Sequence, residues 1–316
     1  SSNSKTCPKI ECNKFIPDLP PMFKWSGGKR DELSVIMKYI PPFDCYFEPF
    51  VGGASVLFAL KPPKAVIGDS HHEVVAFYKQ IQKGADDQLF DDLSKIPNDE
   101  KSYYEMRASQ CLTEYEVARK FFYLRKTAYR GMLRYNQKGE FNIPFGRYKT
   151  YDIEVLRRAA YREVLSKADI VLGDFSETIS RAKEGDFIFL DPPYDCEFTS
   201  YGPSGSFTAD DHTRLALMLR HTPAKWLMII SETPLIRMLY DDFIIAKYSK
   251  KYKFKLHSGR IGDDEHQHLV IGNVKEEQNQ SKTEEEKKTE RARLVRKNYQ
   301  RSNSTRFETS RPLEDG

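Results

Sequence analysis

Short, strand-length apolar runs recur along this chain with helix-forming segments between them, and few architectures absorb that alternation. Runs at 46–50, 65–68, 169–172, 187–190 and 226–231 carry the apolar residues of buried strands, while 31–39, 54–60 and 209–220 carry helical periodicity. Strands separated by helices predict an α/β fold, a Rossmann-like sheet that is mostly parallel, with helices on both faces. Sheets of this kind bind ligands at the carboxyl ends of their strands, so the turns that follow the runs are where chemistry should be sought. A further strand pair is expected at 243–247 and 268–271.

From residue 81 to 162 strand character disappears. A stretch such as EYEVARKFFYLRKTAYRGML keeps helical periodicity with aromatic residues throughout, which predicts an inserted helical subdomain. The α/β domain is then discontinuous, 21–80 and 163–274. Residues 1–20 are polar and end in Pro20 and Pro21, so they read as a loose, flexible arm. Residues 275–316 are too charged and too poor in apolar side chains to bury a core, and read as a disordered tail.

No apolar run approaches the length of a membrane span and no signal-peptide pattern is present, which predicts a soluble intracellular protein without a membrane partner. Five scattered cysteines fit reduced thiols, and Cys7 with Cys12 lacks the second pair that a closed zinc site needs, so no metal is expected. His71, His72, His266 and His268 are read the same way. The net charge of +4 is mild, yet from Arg119 to Lys149 nine cations face one acid, Glu140, a local balance of +8. That density of unopposed charge is a phosphate-binding footprint.

Three turns carry chemistry. Asp191, Pro192, Pro193 and Tyr194 follow the buried run Phe187 to Leu190. Adjacent prolines stiffen the turn and donate no N–H, leaving the Asp191 carboxylate and Pro192 carbonyl to accept from one amino group beside the aromatic plane of Tyr194. Phe47, Glu48, Pro49, Phe50, Val51, Gly52 and Gly53 end the first strand and open a helix, where glycine permits close backbone approach. Asp69, after the next strand, is placed to meet a ribose; Asp174, followed by Phe175, is placed to meet the base of the same ligand. Lys24, Trp25, Ser26, Gly27, Gly28, Lys29 and Arg30 precede the first helix without P-loop spacing, and Trp25 with Lys29 could clamp a ligand that is carboxylated at one end and aromatic at the other.

Taken in order, KWSGGKR, FEPFVGG, Asp69, RYNQKGEFNIPFGRYK, Asp174 and DPPY resemble the Dam-type (D12 class) DNA adenine-N6 methyltransferases over residues 22–273. The resemblance implies S-adenosylmethionine as methyl donor and double-stranded DNA as substrate. Trp25, Lys29, Asp69 and Asp191 then stand at cofactor-contacting positions, with Glu48, Phe50, Gly52, Asp174 and Phe175 beside them. Asp191, Pro192 and Tyr194 would hold a flipped-out adenine. The insertion becomes a target-recognition domain, with Lys126, Tyr129, Arg130, Met132, Arg134, Asn136, Pro144 and Arg147 as DNA-binding candidates. Arg134 matches an arginine that reads a guanine edge and Pro144 a proline that contacts a base. At Arg130 and Met132 the chain departs from members that modify GATC, which commonly carry asparagine and leucine there. A cognate restriction endonuclease is a further expected partner. DPPY-like turns also serve RNA-adenine and cytosine-N4 methylation, and a catalytically inactive DNA-binding relative would keep the insertion alone.

Overall fold

The computed structural model describes residues 16–193, 207–255 and 261–274. Its strands are β1 (Tyr46–Glu48), β2 (Ala65–Asp69), β3 (Ala168–Leu172), β4 (Phe187–Leu190), β5 (Lys225–Ser231), β6 (Ile244–Lys255) and β7 (Ile261–Gly272). They form one sheet in the order β3-β2-β1-β4-β5-β7-β6. The first five are parallel, β7 is antiparallel to β5, and β6 to β7. Between β1 and β4 the strand order changes direction, and that switch opens a crevice at the carboxyl ends.

The described helices are α1 (Leu33–Ile36), α2 (Ser55–Leu60), α3 (His72–Gln82), α4 (Asp86–Ser94), α5 (Glu100–Ala108), α6 (Glu114–Thr127), α7 (Ala159–Ser166), α8 (Phe175–Ile179), α9 (Ala209–His221) and α10 (Pro234–Tyr240). Strand residues alternate between two buried clusters with a period of two. Phe187, Phe189, Leu227 and Ile229 pack with residues of α2, α3, α6 and α7, whereas Ile188, Leu190, Trp226, Met228 and Ile230 pack with α8, α9 and α10. Both faces are thus sealed, which is why the strand runs are apolar at successive positions. Among the described residues no helix is long and apolar enough to cross a membrane.

The insertion shares this core. Thr113 caps α6 in a reciprocal box with Glu116, and Phe122 stacks on Phe77 of α3 at 5.1 Å with ring planes 3° apart. Helix, however, accounts for only part of 81–162. α6 stops at Thr127, and 128–158 is a turn-rich loop holding two 3-10 turns, Tyr129–Gly131 and Glu154–Arg157, and two isolated antiparallel bridges, Ala128 with Phe145 and Tyr135 with Phe141. The aromatic periodicity continues past Thr127, but the chain turns there into left-handed backbone at Arg130 (φ 54°) and Gly131 (φ 62°). Arg125 then staples the loop back onto α6, its guanidinium donating to the carbonyls of Gly131 and Met132.

Three further expectations differ from the structure. The helix over 31–39 is a 3-10 turn (Arg30–Glu32) followed by the single turn of α1, because Lys38 and Tyr39 bond three residues back and Pro41 disfavours helical backbone at Ile40. The last strand pair is much longer than its apolar parts, since the charged residues of 249–255 and 262–266 give no hydrophobic signal. The arm is tied down at its end: Leu19 is fully buried, and the Pro20 carbonyl accepts from the Tyr161 hydroxyl at 2.6 Å. Residues 1–15 and the tail over 275–316 lie outside the described residues.

Candidate active site

The turns that end β1, β2, β3, β4 and β5 open on one cavity of about 960 Å³. Trp25, Lys29, Glu48, Phe50, Gly52, Asp69, Asp174, Phe175, Asp191 and Pro192 all line it. Tyr194 lies outside the described residues, which resume at Phe207.

Local bonding explains the shape of the floor. The Asp69 carboxylate accepts from the Gly52 N–H at 3.0 Å and the His71 N–H at 2.9 Å, locking the end of β2 to the glycine turn after β1. The Tyr78 hydroxyl holds the Gly52 carbonyl from below at 2.6 Å. Gly52 sits at φ 42°, and a Cβ there would lie 2.4 Å from the Trp25 indole nitrogen. The glycine is therefore required by the approach of Trp25, which roofs the turn, as well as by left-handed backbone.

Aromatic rings form one wall. Phe50 lies 5.6 Å from Phe175 and 5.7 Å from Phe207, and Phe175 lies 5.8 Å from Phe207, so the three rings pack on one another as an aromatic cluster in the cavity wall. Asp174 caps α8 through the Ser176 N–H, and Arg214 grips both its oxygens at 2.8 and 2.9 Å. That hydrogen-bonded guanidinium holds its carboxyl well below the usual range. Asp174 reaches the cavity already engaged, and Arg214 also lies 4.4 Å over the Phe175 ring.

The acids opposite behave differently. Burial pushes Glu48 up to about 8 despite the hydrogen bond from the Tyr46 hydroxyl at 2.8 Å, with Asp191 and Asp69 raising it further. Burial likewise raises Asp69 and Asp191. Asp191 is opposed in this by Lys29, whose ammonium lies 2.6 Å from its Oδ1. Lys29 thus faces the acid of the proline turn and the Gly27 carbonyl, 2.7 Å away.

The recognition candidates lie on the loop after α6. Tyr129, Arg130, Met132, Arg134, Asn136, Pro144 and Arg147 are exposed, with Met132, Arg134 and Asn136 at alternate positions of an extended segment. Arg134 donates Nε–H to Asn142 Oδ1 at 2.9 Å, which orients the guanidinium of an exposed residue. The Asn136 side chain is used in its own turn, accepting from the Lys138 and Glu140 N–H groups. Arg147 pairs with Glu100. Lys126 is half-buried with its ammonium 5.3 Å over Phe122, and burial lowers it. The run of nine cations overstates the charged surface, because Arg125 is buried and Lys120 is spent on the Ser109 carbonyl. A second cavity of about 650 Å³ joins this loop to the glycine turn, lined by Lys24, Arg30, Lys126, Arg130 and Met132.

Sequence reasoning does not reach Phe207, Ser231 or Thr233, which also line the main cavity. Phe207 precedes the Thr208 capping box of α9, and Thr233 caps α10 ahead of Pro234, so helix-start signals mark their places.

The strand order, the glycine turn and the acids gathered at the switch point define a Rossmann-like methyltransferase fold. Residues 25–254 match the model of the D12 class N6 adenine-specific DNA methyltransferases, and the chain belongs to that family. It is 45% identical over 261 residues to the type II methyltransferase M.CviBI of Paramecium bursaria Chlorella virus NC1A, covering 81% of this chain and all of that protein. It is 34% identical over 258 residues to the type II methyltransferase M1.LlaDCHI of Lactococcus lactis subsp. cremoris, covering 75% and 89% of the two chains. The DNA adenine methylase of Escherichia coli K12 is 30% identical over 238 residues, covering 69% and 83%.

Proposed function

We propose that this enzyme transfers a methyl group from S-adenosylmethionine to the N6 amino group of an adenine extruded from double-stranded DNA, at a fixed sequence. The observation that carries the reading is that Gly52, Asp69 and Phe175 share one cavity with Asp191 and Pro192, so a cofactor site and an amine-accepting turn lie side by side.

The residues fit the cofactor. The volume lies at the upper end of small-molecule sites, the Phe50, Phe175 and Phe207 cluster offers a purine an apolar aromatic wall, and Asp69 keeps lone pairs for ribose hydroxyls after its two backbone bonds. Asp191, with Lys29 beside it, adds an acidic group toward a cationic ligand. When bound, S-adenosylmethionine supplies an electrophilic methyl on a sulfonium centre.

The chain's own residues supply orientation. The amino group of adenine is a poor nucleophile because its lone pair is delocalised into the ring. Asp191 and the Pro192 carbonyl accept its two hydrogens and so localise that pair, and Tyr194 stacks on the base by analogy with the family. Positioning of this kind supplies much of the rate in an oriented displacement. The proton released on N-methylation leaves through Asp191 or water. Extrusion costs a few kcal/mol, offset by stacking and by phosphate contacts from the basic loop and the second cavity. Arg134, oriented by Asn142, reads a guanine edge. Its type II relatives support a site-specific reaction with a cognate restriction endonuclease as partner.

Incubation with labelled S-adenosylmethionine and double-stranded DNA, then nuclease digestion and mass analysis, tests this reading. N6-methyladenine is expected; N4-methylcytosine, or label only in RNA, overturns it.

A further inference from the structure

Behind the cavity a set of buried charges links the proline turn to the outer hairpin. Lys29 is 2% exposed and lies between Asp191 Oδ1 at 2.6 Å and Glu32 Oε2 at 3.9 Å, donating also to the Gly27 carbonyl. Glu32, equally buried, faces Lys250 Nζ at 3.3 Å and His268 Nδ1 at 3.0 Å and accepts from the Tyr248 hydroxyl. Tyr248 and Lys250 come from β6 and His268 from β7, so three elements converge under one carboxylate.

We propose that Lys29 is a positioning residue for Asp191, held in place by Glu32, so that the glycine turn and the β6–β7 hairpin together aim the acceptor carboxylate at the substrate amine. This deepens the proposed function and rests on the role assigned there to Asp191. A clamp on the cofactor's carboxylate, the alternative use of this lysine, would need its donors directed into the cavity. Here the ammonium faces Asp191 and donates to the Gly27 carbonyl, contacts that a clamp would have to give up. Burying several charges is costly unless each is paired, and removing one partner leaves another uncompensated, so the array ties the geometry of Asp191 to residues far from it in sequence.

The array also decides the form in which Asp191 works. Among the described residues the titratable groups facing it are Lys29 and Glu32 from the glycine turn and the 3-10 turn after it, Glu48 from β1 and Lys250 from β6. Burial favours the neutral acid, which would give up one acceptor position. Lys29, in direct contact, favours the ionised form that can accept from the amine.

The test uses the full chain and four variants: Lys29→Met, Lys29→Arg, Glu32→Gln, and Lys29→Met with Glu32→Gln. Single-turnover methyl transfer to DNA is followed against pH, cofactor affinity is measured by calorimetry, and Asp191 is titrated by carbon-13 NMR of labelled aspartate. In Lys29→Met the acid limb and the Asp191 titration should both move up by about one pH unit, with the rate down about tenfold or more and cofactor affinity nearly unchanged. Glu32→Gln should slow the wild type but add nothing in the Lys29→Met background, because it acts through Lys29. Lys29→Arg keeps the charge with altered geometry, so the rate falls while the acid limb stays, which covers the case in which methionine is not tolerated. A cofactor affinity weakened about tenfold in either Lys29 variant, with Asp191 titrating as before, would overturn the proposal in favour of a clamp. Additive rate losses for Glu32→Gln and Lys29→Met would overturn the role of Glu32. The NMR titration needs no turnover, so an error about the reaction shows separately in the wild-type product.

Discussion

Replacing Glu48 by glutamine should change how stability responds to pH. The Glu48 carboxyl is buried at the end of β1, where it accepts from the Tyr46 hydroxyl. Burial pushes it up to about 8 from the ordinary glutamate value of 4.5. Between those values the folded state holds a proton that the unfolded state has lost, so folding binds a proton and stability falls as pH rises, levelling off above about 8. The limiting slope is about 1.4 kcal/mol per pH unit, and it flattens as the folded carboxyl begins to ionise. From pH 6 to pH 8 the wild type should therefore lose about 2 kcal/mol that a glutamine does not lose. Glutamine keeps an acceptor for Tyr46 and has nearly the same volume, so packing is held constant. Urea unfolding of the cofactor-free protein at several pH values reads the difference directly. Asp69 and Asp191 are raised too, but they remain in both proteins and cancel. Parallel curves for wild type and Glu48→Gln would show that Glu48 is ionised in the folded protein and that burial does not govern its charge.

Asp191→Ala should lower tritium transfer to DNA by roughly a thousandfold while the melting transition stays cooperative, and unchanged transfer would refute the role given to it. Arg134→Ala should relax sequence preference by about 1–3 kcal/mol at one base pair, read by binding to a panel of altered sites. Lys126→Ala should instead weaken all sequences alike and reduce the salt slope by about one, and identical behaviour of the two variants would contradict the division between reading and phosphate contact. Arg125→Ala should cost about 2 kcal/mol by abandoning the Gly131 and Met132 carbonyls, with faster hydrogen exchange in the loop and weaker DNA binding at unchanged cofactor affinity.

What could be read from the sequence and what could not divide along physical lines. Strand runs such as Phe187 to Leu190 are legible because both their faces are buried, and the turn after each is the ligand-facing end of a parallel strand, so Glu48, Asp69 and Asp191 fall into one cavity without knowledge of the sheet order. Gly52 lines the same cavity, yet its main neighbour is the Trp25 indole, a contact between segments that local pattern does not contain. Ser231 and Thr233 reach the cavity only because β5 lies beside β4, a fact of topology. The loop over 128–158 reads as helix because its aromatic residues continue the spacing of α6, while the left-handed residues and the Arg125 staple that end the helix carry no periodic signal. The pairing of Lys29 with Asp191 joins positions 162 residues apart and is set by the fold alone.

A structure of the protein with a cofactor analogue and a DNA duplex containing its target site tests the central claim most directly. The account predicts an adenine swung out of the helix, its N6 within about 3 Å of both an Asp191 oxygen and the Pro192 carbonyl, with the analogue against Gly52 and Phe175. An adenine still stacked in the duplex, or an N6 that meets neither acceptor while the analogue is in place, would contradict it.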